Sequence, residues 1–174
     1  MDGEKNAYGV IFATETGWVG VSGSSRGLLA LVLPRPSREE VRALLGKGRN
    51  LLPYSPAFSR GLIERLRAYF AGNRVEFPDH LDLSGATSFQ RVVWEVTRLI
   101  PYGDTRSYAW LAEKVARPRA YRAVGQAMKS NPLPVIIPCH RIICSDGSLG
   151  GFDGGTYLKE QLLLMEKHAL RLHC

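Results

Sequence analysis

Cysteine is scarce in this 174-residue chain: there are three, and none lies in the first 138 residues. So few thiols, in an odd number, predict no disulfide framework and favour a reducing compartment. No apolar run is long enough to span a membrane, and no signal or transit peptide is recognisable. We therefore expect a cytoplasmic protein without a membrane partner.

Acidic residues are missing from one long stretch. None occurs between Lys114 and Ser145, although the chain as a whole contains 16 acidic and 23 basic residues, with a formal net charge of +7. The same stretch contains six cationic side chains: Lys114, Arg117, Arg119, Arg122, Lys129 and Arg141. An acid-free cationic segment is typical of a surface that contacts phosphate groups, so a polyanionic partner is expected.

The N-terminal part predicts an α/β domain over residues 1–80. Alternating apolar and polar residues over 8–14, 17–22 and 27–33, separated by turn-forming residues, predict a three-stranded antiparallel sheet. Ser37 followed by Glu40 predicts a capping box, and apolar spacing predicts a second helix from about Ser55 or Ser59 to Phe70. Residues 81–86 are expected to link this domain to the next.

The C-terminal part, residues 87–174, predicts a mainly helical domain. Thr87 with Gln90 forms a second capping-box pattern, and another helix is expected to start near Ser107. After Arg117-Pro118, small and basic residues predict a helix over 120–129. Two short helices joined by a tight turn, the second rich in Ala, Gly and Arg, predict a winged helix-turn-helix-like DNA-binding motif.

The stretch 135–144 places a thiol, an imidazole and a guanidinium in succession within an apolar run. The run predicts a core strand, and Pro138 interrupts it, so that Cys139 is presented at a rigid bend. Positive charge from His140 and Arg141 would stabilise a thiolate, which is the nucleophilic form of cysteine. Two alternatives stay open: an inert buried cysteine, and a metal knot of Cys139, His140 and Cys144.

These residues resemble the active-site signature of the O6-alkylguanine-DNA alkyltransferases, the suicide DNA-repair methyltransferases. The resemblance covers about residues 87–174 well and the first eighty poorly. It lies in the order and approximate spacing of these segments: 122–128, Asn131-Pro132, Pro138-Cys139-His140-Arg141, Gly154-Gly155, Lys159, Leu162-Leu163 and Glu166.

The resemblance implies a single, irreversible alkyl transfer from O6-alkylguanine, with O4-alkylthymine as a further candidate substrate, to Cys139. A soft sulfur nucleophile reacts well at saturated carbon, so no external donor or cofactor is expected. His140 would act as general base, directly or through a water, and Glu166 would hold the imidazole. Tyr108 would donate to N3 of the base; otherwise it is an amphipathic core tyrosine.

The resemblance also implies double-stranded DNA as the partner of a monomer, with the damaged base flipped out of the duplex. A DNA partner would make the protein nucleoid-associated or, in a eukaryote, nuclear. Arg122 would fill the vacated stack, or else only contact phosphate. The small residues Ala123, Gly125 and Ala127 would let the helix approach the minor groove. The other expected DNA contacts are Arg119, Lys129 and Arg141.

A base pocket and hinge are expected on either side of the thiol. Asn131 matches the family's hinge asparagine, although a helix C-cap before Pro132 explains it equally. The glycine-rich loop would wall the base with Phe152, Asp153 and Gly154. Phe152 stands where many members have a tyrosine, so one hydroxyl contact is lost, and the scarcity of N-terminal Cys and His predicts no structural zinc.

Three rival functions stay open. A non-catalytic alkyltransferase-like protein would bind lesions for other repair factors, but such relatives replace the reactive cysteine that this chain keeps as Cys139. A helix-turn-helix transcription factor would need an effector or dimerisation domain, which the sequence does not suggest. A cysteine hydrolase would place its nucleophile and base in adjacent positions, Cys139 and His140, which is unusual for that chemistry.

Overall fold

A computed structural model describes residues 6–47, 50–53 and 61–172 of the chain. The chain forms two compact units, Met1–Ser84 and Gly85–Cys174, whose boundary lies inside the segment expected to be a linker. Within the described ranges no helix is both long enough and apolar enough to cross a membrane.

The N-terminal unit consists of strands and helices. Its described elements are β1 (Asn6–Thr14), β2 (Gly17–Ser24), β3 (Gly27–Arg35), α1 (Arg38–Leu45), β4 (Asn50–Pro53) and α2 (Leu62–Phe70). Ser37 caps α1 by accepting a hydrogen bond from the Glu40 backbone N–H. The second predicted helix is confirmed at its end, because α2 ends at Phe70. Its expected start at Ser55 or Ser59 falls on residues 54–60, which lie outside the described ranges.

The sheet has four strands in the order β3-β2-β1-β4, so the prediction of a three-stranded antiparallel sheet is wrong. The predicted strands pair antiparallel, but β4 adds to the edge of β1 in parallel, with Asn6 opposite Asn50. The helix α1 packs closely against this sheet, because a Cβ at Gly20 of β2 would lie 2.5 Å from Cγ1 of Val41. The parallel strand lacked a sequence signal because its pairing joins residues far apart in the chain.

The end of the N-terminal unit is hydrogen-bonded back to the β2–β3 hairpin. Asp82 accepts from the Ser24 hydroxyl, from Arg26 Nε at 3.3 Å and from the Ser84 backbone N–H at 3.1 Å. Burial alone would raise the pKa of Asp82. These hydrogen bonds and the Arg26 charge outweigh burial and lower the pKa to about 2. Residues 82–84 are therefore part of the fold rather than a free linker.

The C-terminal unit is mainly helical. Its described elements are α3 (Ser88–Arg98), β5 (Arg106–Ser107), α4 (Tyr108–Lys114), α5 (Tyr121–Lys129), a 3-10 helix (Cys139–Arg141), β6 (Ile142–Ile143) and α6 (Gly155–Leu172). The capping box of Thr87 and Gln90 is confirmed, with both reciprocal hydrogen bonds present. Ser107 caps α4 by accepting from the Trp110 N–H.

Helices α3 and α5 are held together by a buried hydrogen bond. The indole Nε1 of Trp94 donates to the carbonyl of Ala127 at 2.8 Å. Ala127 lies on the inner face of α5 with Val124 and Met128, which are buried as well, so the expectation that it faces the minor groove is wrong. The helix that was expected to contact DNA is therefore fixed on one side and leaves its other side to solvent.

The segment before Cys139 is a set of turns and not the predicted core strand. Val135 has a φ of +75°, an unusual value for a β-branched residue, and this conformation cannot continue a strand. The Asn131 side chain crosses the turn, donating to the Ile137 carbonyl and accepting from the Leu133 N–H, both at 2.9 Å. Only Ile142–Ile143 is extended, and it pairs in parallel with β5.

Candidate active site

A cavity of about 520 Å³ opens in the C-terminal unit, and Cys139 lies in its wall. That volume falls within the range of small-molecule sites. The predicted residues that line it are Tyr108, Gly125, Lys129, Asn131, Cys139, Phe152 and Asp153. Three further lining residues were not predicted: Met128, Pro134 and Gly151.

Cys139 begins the 3-10 helix directly after Pro138, and its side chain is almost enclosed, with 8% of the residue exposed. Burial raises the pKa of the thiol to about 11, while a hydrogen bond from Asn131 and the charge of Lys159 lower it by less. The free protein therefore holds a thiol at neutral pH. The sulfur becomes a thiolate only when a nearby group takes its proton.

The positive charge near the thiol belongs to Lys159, which the prediction noted only as part of the family pattern. Lys159 is 0% exposed, and its ammonium donates to the carbonyl oxygens of Ile142, at 2.6 Å, and Leu149. Burial lowers its own pKa, against the opposing influence of Cys139 and Cys144. A lysine on α6 two turns before Glu166 faces the same interior, which is the sequence signal that could have identified it.

Behind the thiol lies a buried ionic cluster of His140, Arg141 and Glu166. His140 Nε2 lies 2.8 Å from Glu166 Oε1, and the Arg141 guanidinium donates to both carboxylate oxygens at 2.9 Å. Arg141 also donates to the Ile100 carbonyl at 2.7 Å, and its side chain is only 10% exposed. The prediction that Arg141 contacts DNA is therefore wrong, because its guanidinium is buried and binds Glu166.

Glu166 is fully buried on α6, and a glycine turn completes its binding site. The Gly103 backbone N–H donates to Oε2 at 2.9 Å. Gly103 has a φ of +80°, and a Cβ there would lie 2.3 Å from Cδ1 of Leu170, so only glycine fits without strain. Burial raises the pKa of Glu166, but His140 and Arg141 outweigh it and bring the pKa to about 2.

The charge state of Glu166 determines the tautomer of His140. An ionised carboxylate can only accept, so the hydrogen between the two side chains resides on Nε2 of the imidazole. Burial lowers the pKa of His140 more than Glu166 raises it, so the ring is neutral. In that tautomer Nδ1 is a proton acceptor, which is the state a general base needs.

Tyr108, the first residue of α4, lies at the cavity wall beside the second thiol. Burial raises the pKa of its hydroxyl, as do Cys144 and Cys139. A Cβ at Gly150 would come within 3.4 Å of both Cys144 Sγ and the Tyr108 hydroxyl oxygen. Gly150 therefore lets the glycine-rich loop pass close to the tyrosine, which keeps its proton at neutral pH and can donate it.

The remaining predicted residues either line the cavity or lie outside its lining. Phe152 lines the cavity and its ring meets His140 edge-to-face, with ring centroids 6.5 Å apart. Gly154 and Pro138 are not among the lining residues, and Pro138 acts by setting the start of the 3-10 helix. The others, Arg119, Arg122 and Ala123, lie exposed on and before α5, outside the cavity lining.

A metal site is not apparent in the described part of the chain. No three or more His, Cys, Asp and Glu side chains come together there in an arrangement that could hold an ion. The metal knot of Cys139, His140 and Cys144 is thus not formed. The absence of zinc stays a prediction for metal analysis.

Comparison with known proteins identifies the relatives of this chain. Residues 88–168 match the family model described as 6-O-methylguanine DNA methyltransferase, DNA binding domain. A methylated-DNA–protein-cysteine methyltransferase of Mycobacterium leprae (strain TN) is 50% identical over 117 residues, 67% of this chain and 70% of that protein. Another, from Methanosarcina acetivorans, is 37% identical over 163 residues, 91% of this chain and 97% of that protein.

One solved structure matches nearly the whole chain. The crystal structure of Mycobacterium tuberculosis OGT in complex with DNA superposes with a TM-score of 0.76 at 36% identity, covering 94% of each chain. A thiol at a cavity, backed by a histidine and a carboxylate, is typical of proteins that use cysteine as a nucleophile. With these relatives, the chain belongs to the O6-methylguanine DNA methyltransferase family, and the resemblance drawn from its sequence is confirmed.

Proposed function

We propose that this chain repairs DNA by accepting the alkyl group of O6-alkylguanine on Cys139, once per molecule. The observation that supports this most strongly is the position of Cys139: its thiol lies in the wall of a cavity of about 520 Å³, with His140 and Glu166 directly behind it. The relatives at 50% and 37% identity are named methylated-DNA–protein-cysteine methyltransferases, and this chain retains a cysteine where a lesion-flagging protein would lack one.

Proton transfer accompanies the displacement. The Cys139 thiol gives its proton to Nδ1 of His140, through a water, because the pKa of about 11 leaves too little thiolate beforehand. Sulfur then bonds to the alkyl carbon as the bond from that carbon to O6 breaks. Glu166 stabilises the imidazolium, and Tyr108 donates a proton to N3, so that guanine leaves neutral.

The DNA contacts follow from α4 and α5. We assign these helices to a helix-turn-helix motif, with the exposed side of α5 directed into the minor groove, where Ala123 and Gly125 allow close approach. Arg122, which is exposed, would fill the vacated stack, and Arg119 and Lys129 would contact phosphates. We expect a monomer to bind double-stranded DNA.

The test is to mix the protein with a duplex that contains one O6-methylguanine, and to analyse both products. Intact mass should rise by one methyl group per protein and then stop, while nucleoside analysis shows guanine restored in equal amount. Cys139→Ala should bind the duplex without gaining mass, and Cys144→Ala should accept the methyl group. Methylation of the Cys139→Ala variant, or release of the methyl group to water, would overturn the proposal.

A further inference from the structure

Tyr121 is a large aromatic residue that α5 holds out to solvent. It is 52% exposed, whereas the inner face of the same helix is buried against α3. The N-terminal residue of α5 thus exposes a ring that makes little contribution to the core. An exposed ring alone does not indicate a function, but the cavity that contains Cys139 is lined by residues of the same helix.

The stripe of α5 that borders the cavity passes through Tyr121. Residues four apart lie on one face of a helix, so Tyr121, Gly125 and Lys129 form a single stripe. Gly125 and Lys129 line the cavity that contains Cys139. Tyr121 lies one turn beyond Gly125, about 6 Å along the helix axis, and its ring points further toward the helix N-terminus. Tyr121 is therefore one helical turn from the cavity lining, on the side of the helix N-terminus.

The charge around Tyr121 indicates which partner covers it. Arg119 and Arg122 are exposed close to it in the chain, the exposed Lys129 lies two turns along the stripe, and no acidic residue occurs from Lys114 to Ser145. An aromatic ring among basic side chains is the combination that binds nucleic acid, with phosphates on the cations and a base against the ring. A protein partner would be expected to meet mixed charges.

We propose that Tyr121 inserts its ring against the base step beside the extruded nucleotide, and so helps to hold the damaged base in the cavity. A DNA strand has a nucleotide about every 3.4 Å along its axis, so a ring about 6 Å from Gly125 reaches one or two nucleotides away from the flipped base. Apolar side chains act in this way as wedges in the minor groove. The inference rests on the proposed function, which it extends by one positioning residue.

Tyr121 and Arg122 would not have the same task. Successive residues point about 100° apart around a helix, so Arg122 lies to the outer side of the stripe that Tyr121 shares with Gly125. Arg122 is assigned to the gap left by the base, and Tyr121 to the neighbouring step. Two side chains acting on adjacent parts of one strand would hold it open more firmly than either alone.

The test compares transfer from a duplex with transfer from the free base O6-methylguanine, which needs no extrusion. Single-turnover rates are measured with both substrates, and the ratio of the duplex rate to the free-base rate is the readout. Tyr121→Ala should lower that ratio about tenfold, the loss expected for removal of one base-stacking ring. Tyr121→Phe should keep the wild-type ratio, since stacking needs the ring and not the hydroxyl.

Leu164→Ala is the matched control, because Leu164 on α6 is a large apolar residue with a similar exposed fraction, 54%. Its ratio should equal that of the wild type. The inference is overturned if Tyr121→Ala keeps the wild-type ratio, or if Tyr121→Phe loses as much as Tyr121→Ala. A wild-type protein that takes the methyl group from neither substrate would instead contradict the proposed function itself.

Discussion

Two buried carboxylates with the same depressed pKa, about 2, lie one in each compact unit. Asp82 accepts from the Ser24 hydroxyl, the Arg26 guanidinium and a backbone N–H. Glu166 accepts from the Arg141 guanidinium and a backbone N–H, and it also faces His140. Each therefore has an arginine and a backbone donor, and in both cases hydrogen bonds outweigh the effect of burial on the pKa.

The difference lies in what adjoins them. The partners of Asp82 are a hairpin and the end of its own unit, so its network closes on itself. Glu166 instead contacts His140, which is adjacent in the chain to the nucleophile Cys139 in the cavity wall. A low pKa alone thus marks a well-bound carboxylate. A neutral, oriented histidine next to a thiol is what marks a candidate site.

The largest effect is expected from removing the carboxylate of Glu166. Glu166→Ala leaves the Arg141 guanidinium buried without its charge partner, which should cost about 3–5 kcal/mol in the free energy of unfolding. Asp82→Ala should cost less, since Arg26, with a side chain 58% exposed, can turn to water. Urea unfolding followed by circular dichroism measures both. Equal losses would show that the two networks do not differ in their dependence on a buried charge.

Acid should weaken both networks in the same direction. The folded-state pKa of Glu166 is lowered from 4.5 to about 2, so its contribution is complete above pH 4.5 and is lost as pH falls toward 2. That shift corresponds to about 3 kcal/mol. The unfolding free energy should therefore decline across this window, and Glu166→Gln and Asp82→Asn should each reduce the decline. A decline of unchanged size in both variants would contradict the assigned pKa values.

The pH dependence of Cys139 alkylation tests the C-terminal unit alone, because the first 138 residues contain no cysteine. Because the thiol pKa is about 11, the rate of alkylation by iodoacetamide should rise about tenfold per pH unit from pH 8 to near 11. The assay uses a Cys144→Ser protein and locates the adduct by peptide mass spectrometry. A plateau below pH 9 would mean that the free protein already holds a thiolate.

A smaller effect is expected at the glycine that completes the site of Glu166. Gly103→Ala places a Cβ against Leu170 at a positive φ and should lower the unfolding free energy by about 1–3 kcal/mol. Gly125→Ala is the matched control, because a Cβ there meets nothing within 4 Å. If both variants unfold at the same urea concentration as the wild type, the close packing assigned to Gly103 is wrong.

Local patterns predicted local structure well. The capping box of Thr87 and Gln90 needs only residues three apart, and it is present as predicted. The strand β4 and the burial of Arg141 were missed because each depends on a distant partner: Asn50 pairs with Asn6, and Arg141 with Glu166, 25 residues later. The apolar run 135–144 predicted a strand because hydrophobicity does not reveal a positive φ at Val135.

The sequence predicted which residues form the candidate site better than it predicted how they are arranged. Cys139 was singled out by the histidine and arginine that follow it. The roles of His140 and Glu166 came from the family pattern, since the spacing of a buried ion pair cannot be read from one sequence. Lys159 was left without a role because a lone lysine on an amphipathic helix usually lies in solvent. Its complete burial became visible only with the carbonyl groups of Ile142 and Leu149 around its ammonium.

The most direct test of the contrast between the two carboxylates is the single-turnover rate of methyl transfer from O6-methylguanine duplex to Cys139, at pH 7, in Glu166→Gln and Asp82→Asn. Both substitutions keep the shape of the side chain and remove its charge. Glu166→Gln should slow transfer by about 10²–10⁴, the contribution of a positioned general base, while Asp82→Asn transfers at the wild-type rate. Equal rates in the two variants would contradict the role assigned to the Glu166–His140 pair.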